Sequence, residues 1–206
     1  DLNGDGYDEF LVGAPNAGPG IKDDTGYAYL IQGGPTLGVP MPVTHPGSPN
    51  DDSLTGTSGN DVMIANRGND SVSAAAGIDA LKGGSGNDRL DGGPGGDRII
   101  GGNGNDIASY AGSGSAVNVN LFTGITSGGD AAGDYLRSIE GVIGSPAADT
   151  FTGDSLDNLM DGGGGDDNLS GGQGSDAFRY SPGSGDDIGD KVGHRQTGAE
   201  ALAGGE

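Results

Sequence analysis

Seven aspartates stand nine residues apart, at Asp52, Asp61, Asp70, Asp79, Asp88, Asp97 and Asp106. After a gap the spacing returns at Asp149, Asn158, Asp167 and Asp176. Carboxylates brought together this regularly repel one another, by about 1–3 kcal/mol per adjacent pair near a surface, unless positive charge lies between them. Glycines lead into most of them, as in GGSGND (83–88) and GGNGND (101–106). Glycine lets the backbone curl through positive φ and converge its carbonyl oxygens. Six or more carboxylate and carbonyl oxygens in a flexible loop suit Ca²⁺ better than Mg²⁺ or Zn²⁺. The chemistry expected is the binding of several calcium ions.

The elements that must position these groups follow from the same register. Read in nines from Gly56, the chain runs GTSGNDVMI, ANRGNDSVS, AAAGIDALK, GGSGNDRLD, GGPGGDRII and GGNGNDIAS, with a looser GSPNDDSLT before them. A second run, GSPAADTFT, GDSLDNLMD, GGGGDDNLS and GGQGSDAFR, spans 144–179. The eighth position is apolar throughout: Leu54, Met63, Val72, Leu81, Leu90, Ile99 and Ala108, then Phe151, Met160, Leu169 and Phe178. Each phrase therefore reads as a six-residue turn and a three-residue strand that points one side chain inward. Two phrases make a flattened coil of eighteen residues, and successive coils stack in parallel. The fold class expected is all-β.

Composition bounds the alternatives. With 47 glycines, 32% hydrophobic residues and a formal charge of −21 in 206 residues, the chain has the makeup of a disordered segment. A flexible Gly/Asp linker, however, does not hold apolar residues at one fixed phase. The charge disfavours nucleic acid and anionic membranes as partners and favours cations. There is no cysteine, so neither disulfides nor a thiolate metal site is available. No apolar stretch approaches a bilayer span. His45 and His194 have no partner cluster, and no two acids stand out as a catalytic pair, so no enzyme activity is expected. Both ends read as cuts, implying a fragment of something longer.

The phrase GGxGxDxUx, U being a large apolar residue, resembles the nonapeptide of the RTX (hemolysin-type) calcium-binding repeats, over 47–109 and 144–179. The resemblance implies a right-handed parallel β-roll (RTX β-helix) in two blocks, with each Ca²⁺ held between turns eighteen residues apart. It pairs Asp70 with Asp88, Asp79 with Asp97, Asp88 with Asp106, and Asp149 with Asp167, and makes Asp61, Asp106 and Asp176 ligands too. Three departures stand out. AAAGID (74–79) has alanines where the turn prefers glycine and is expected to be strained or weak. GDSLDN has Leu156 for a glycine and Asn158 for the acid, so the Asn158–Asp176 site is expected to be weaker still. Ala108 is expected to underfill the last inward position of the first block.

The opening DLNGDGYDEFLVGAP has its own pattern. Asp1, Asn3, Asp5 and Glu9 have the spacing of a calcium loop, with Gly6 at the bend. An EF-hand would need an acid at the twelfth place, where Val12 stands. The stretch resembles instead the FG-GAP repeat of integrin-type propellers, and TGYAYLIQGG would be its partner strand. One such repeat is a fragment of a β-propeller blade and cannot close a propeller.

The division expected is thus an FG-GAP fragment (1–34), a proline-rich linker (35–49), the first β-roll block (50–109), a β spacer (110–143), the second block (144–190) and a tail (191–206). Within the spacer, Val117, Val119 and Leu121 alternate with Asn118 and Asn120, predicting a strand, and a second is predicted over 136–143. The spacer is read as structural, without chemistry of its own. The resemblance implies folding on calcium, outside a bacterial cell after type I secretion. The function expected is a calcium-binding structural module of a secreted or cell-surface protein of adhesive or matrix type, meeting an extracellular polysaccharide or protein through its parent. The alternative is the tail of a secreted protease, lipase or polysaccharide epimerase.

Overall fold

The computed structural model describes residues 10–14, 27–31, 41–179, 185, 187–189 and 195–197. Their regular elements are β-strands, with a single 3₁₀ turn at Gly129–Ala131 among the described residues. Two sheets face each other across one core. The larger has ten strands and begins with His45–Pro46, Val62–Arg67, Ala80–Ser85 and Arg98–Asn103. The smaller has eight: Ser53–Thr55, Ser71–Ser73, Arg89–Asp91, Ile107–Ser109, Gly141–Ile143, Leu159–Asp161, Ala177–Arg179 and Arg195–Thr197. The chain alternates between the sheets every nine residues, so like strands pair in parallel eighteen residues apart. Leu81 pairs with Met63 and Ile99 with Leu81 in one sheet; Leu90 pairs with Val72 in the other.

The eighth position of each phrase supplies the core. Met63, Val72, Leu81, Leu90, Ile99, Phe151, Met160, Leu169 and Phe178 are all buried in one cluster. Ala108 is buried there as well. Tyr110, two residues on and so on the same side of the chain, is buried in the same cluster.

The spacer continues the stack. Tyr135–Arg137 pairs in parallel with Arg98–Asn103. It is followed in the larger sheet by the antiparallel strands Ile125–Ser127 and Asn118–Asn120, and the latter pairs in parallel with Thr150–Thr152. The strand predicted over 136–143 is in fact two, Tyr135–Arg137 in the larger sheet and Gly141–Ile143 in the smaller, with the chain turning between them at Ser138, whose φ is +51°. Both sheets therefore run through the spacer without a break.

The linker ends earlier than expected. His45–Pro46 is already an edge strand, fastened by Thr44 N–H to Val62 O at 2.9 Å and Gly47 N–H to Ile64 O at 2.7 Å. Pro46 is tolerated because an edge strand has one side unpaired. At the front, Phe10–Ala14 and Tyr27–Ile31 pair antiparallel, as a repeat strand and its partner should, and Met41–Pro42 adds a third short strand. In the tail, Arg195–Thr197 extends the smaller sheet beside Ala177–Arg179.

Candidate metal centre

Each phrase enters its strand through the acid at position six, and the turn before it explains why the acid is buried. In the turns at 83–88 and 101–106, φ is positive at the second and fourth residues: +126° at Gly84 and +124° at Gly86, then +128° at Gly102 and +139° at Gly104. This bends the carboxylate back over the first residue of its own turn. A Cβ placed on Gly83, Gly92, Gly101 or Gly162 would run into the side chain of Asp88, Asp97, Asp106 or Asp167.

The acids form two files, one along each edge of the roll. Every rung is made alike: the main-chain N–H of one acid donates to a side-chain oxygen in the next coil. Asp70 N–H reaches Asp88 Oδ1 at 2.9 Å, Asp79 reaches Asp97 at 2.8 Å, Asp88 reaches Asp106 at 2.9 Å, and Asp149 reaches Asp167 at 2.8 Å. The four expected pairs are thus adjacent. Asn158 N–H likewise meets Asp176 Oδ1 at 2.9 Å, and Asp61 N–H meets Asp79 Oδ1 at 2.7 Å.

The second oxygens are not alike. In Asp70, Asp79, Asp88, Asp97, Asp106 and Asp167, Oδ2 is buried and has no hydrogen-bond partner among the described residues. In Asp61 it accepts the Thr57 N–H at 2.7 Å and the Thr57 hydroxyl at 2.9 Å. In Asp149 the Ser145 N–H reaches Oδ2 at 2.6 Å, while the Ser145 hydroxyl and the Val117 N–H take Oδ1. Asp52 is met by Ser48 in the same way. The sequence reading treated Asp61 and Asp149 as equivalent to the rest; their hydrogen bonds set them apart.

Burial and like charge act together on the files. Burial, then the charges of Asp134, Asp79 and Asp91, pushes Asp97 from 3.8 to about 7. Burial, then Asp187 and Asp149, pushes Asp167 from 3.8 to about 7. Asp106 and Asp134 rise to about 6, burial again leading. At Asp61 burial pushes up too, but hydrogen bonds from Thr57 and Thr44 and the neighbouring His45 prevail, and the net shift is downward.

This donor set fits a hard cation. Among the described residues no three acid or histidine side chains converge, so an ion between coils would rest on one or two carboxylates and on turn carbonyls. Those carbonyls are stacked in register: a Cβ on Gly86 would strike Gly68 O, and one on Gly104 would strike Gly86 O. All the ligands are oxygen, as calcium prefers.

The spacer belongs to the files, contrary to the reading of it as free of chemistry. Asp97 N–H donates to Asp134 Oδ1 at 2.7 Å, and Asp106 N–H donates to Glu140 Oε2 at 2.9 Å. Asp134 is buried, and its Oδ2 accepts the Tyr110 hydroxyl at 3.0 Å. Neither acid keeps the nine-residue phase, yet each is followed two places on by an inward apolar residue, Leu136 or Val142, a signal that the sequence does carry. Asp187 adds a further rung, accepting from Asp167 N–H at 3.0 Å. A third file of polar side chains lies outside one edge, where Asn69 Oδ1 accepts from Asn87 N–H and Asn87 Oδ1 from Asn105 N–H. The front-loop residues Asp1, Asn3, Asp5 and Glu9 lie outside the described residues.

A two-sheet parallel solenoid with buried carboxylate files at its turns defines a β-roll built from short repeats. The family comparisons say which: the chain carries RTX calcium-binding nonapeptide repeats, matched over 46–81, 74–108 and 143–178. An FG-GAP repeat is matched over 1–31. A search among curated proteins finds no match to the chain.

Proposed function

We propose that this chain is a non-catalytic calcium-binding module that orders when calcium binds, within a secreted or surface bacterial protein of adhesive or matrix type. The observation that carries the reading is the set of six buried carboxylate oxygens with no hydrogen-bond partner among the described residues, arranged in files of like charge. Bound Ca²⁺ supplies the positive charge and the ligand contacts that such oxygens lack. Asp70, Asp79, Asp88, Asp97, Asp106, Asp167 and Asp176 would hold it, two adjacent coils contributing to each site. Their main-chain N–H groups fix the carboxylates in register, and the glycines bring the turn carbonyls alongside. In the unfolded chain these groups are scattered, so binding energy becomes folding energy.

Extracellular calcium modules bind with dissociation constants of about 10⁻⁴–10⁻³ M, which leaves such sites empty at cytosolic calcium and filled outside the cell. That switch suits export of an unfolded chain, as in type I secretion, followed by folding outside. The FG-GAP match favours an adhesive parent, with an extracellular polysaccharide or protein as its ligand, over a secreted enzyme. Far-UV circular dichroism tests the reading. The chain should be coil-like in chelator and gain β signal in millimolar Ca²⁺, and calorimetric titration should show several ions bound. A spectrum indifferent to calcium would refute it.

A further inference from the structure

The rungs divide into two kinds, and one residue decides between them. Where the second residue of the turn is Ser48, Thr57, Ser145 or Asp154, its N–H donates to the side chain of Asp52, Asp61, Asp149 or Asn158, at 2.6, 2.7, 2.6 and 2.9 Å. None of these four has a positive φ. Where the second residue is Asn66, Ala75, Gly84, Gly93, Gly102 or Gly163, φ lies between 74° and 128°. The peptide is then turned, and Oδ2 of Asp70, Asp79, Asp88, Asp97, Asp106 or Asp167 is left without a donor among the described residues. At Gly93 and Gly163 the redirected N–H goes to Asp91 Oδ1 and Asp161 Oδ1 instead, at 3.1 and 3.2 Å.

The two kinds are not scattered. Ser48 and Thr57 belong to the first two turns of the first block, one on each edge of the roll. Ser145 and Asp154 hold the same places in the second block. Each block therefore opens with one complete coil whose position-six side chains the protein satisfies by itself. Asp134, after the open rungs Asp79 and Asp97, is self-satisfied as well, through Tyr110.

We propose that these opening coils hold their turns without metal, and that calcium is confined to the turns that follow, where the second residue has positive φ. Asp61 and Asp149 are then hydrogen-bond acceptors rather than calcium ligands, and Thr57 and Ser145 take the place of an ion. Each block has a metal-independent first coil against which the calcium-dependent coils can stack. This rests on the calcium-binding reading above.

The test uses the full chain and Ca²⁺ alone, with calorimetric ion counts and the midpoint of the circular dichroism change. Thr57→Gly combined with Ser145→Gly removes the hydroxyl donors and admits the positive φ of the open turns, which turns the remaining N–H away from the carboxylate. It should take up one or two additional ions and need about twofold more calcium at the midpoint. Ala75→Thr makes the converse change in the turn at 74–79 and relieves the positive φ of a non-glycine residue. It should bind one ion fewer, with a lower midpoint. Thr57→Ser should leave both quantities unchanged. Unaltered counts and midpoints in the glycine variant and in Ala75→Thr would overturn the division of turns. Should the glycine variant not fold, Ala75→Thr decides alone. If the unaltered chain takes up no calcium, it is the functional reading that fails.

Discussion

At the residue scale, the glycines and the acids are one design. Gly86 has φ +124°, a region that side chains avoid, and a Cβ there would strike Gly68 O in the preceding coil. Gly86→Ala should therefore cost about 2 kcal/mol or more in a denaturant titration run with calcium present. Gly112→Ala is the control, since an added Cβ there meets nothing within 4 Å; it should stay within about 0.5 kcal/mol of the unaltered chain. The acids make a prediction about pH. Asp97 and Asp167 are raised to about 7 in the folded state, above the ordinary carboxylate value they would have unfolded. Between the two values the folded state binds more protons, so its stability is fully present below about pH 4 and is lost as pH rises towards 7. In chelator, the chain should show more β signal at pH 5 than at pH 8. Calcium should bind more tightly as pH rises and release protons as it does so. More structure at pH 8 without metal would contradict the burial of these carboxylates.

At the scale of the element, the spacer replaces a regular coil with an irregular one while keeping both files filled. Its strand at Asn118–Asn120 was legible because Val117, Val119 and Leu121 alternate with polar residues. The strand Ile125–Ser127 was not, because Ile125 points out to solvent and Thr126 is the buried one. Asp134 and Glu140 escaped because six residues separate them, and the register of nine cannot see that step. Tyr110 escaped because Ala108 seemed to end the core, whereas the next inward position carries the larger side chain. The hydroxyl of Tyr110 has a measurable role. Tyr110→Phe keeps the ring in the core but leaves a buried oxygen of Asp134 without its donor. The loss should be about 1–3 kcal/mol, read as a lower denaturant midpoint at saturating calcium. An unchanged midpoint would mean that Asp134 is satisfied in some other way.

At the scale of the whole molecule, the stacking was legible from one repeated phrase. Aspartate at position six and an apolar residue at position eight sufficed for coil length, parallel pairing and the identity of the core. The split between self-satisfied and open turns was not, although its signal was present. Ser48, Thr57, Ser145 and Asp154 all stand four places before the position-six residue, but a pattern written for its glycines treats them as departures rather than as donors. The strain expected at AAAGID was legible for the opposite reason, since Ala75 takes φ +74° where Gly93, its counterpart in the next coil, is a glycine at φ +78°. A last consequence lies in the sense of the rungs. Each donated N–H belongs to the earlier coil and each accepting carboxylate to the later one. Removing coils from the front thus takes away donors and leaves behind acids that solvent can hydrate at the newly bared end. Removing them from the back strands a row of amides whose acceptors have gone. The stack has a grain, and it is the trailing end that completes what comes before it.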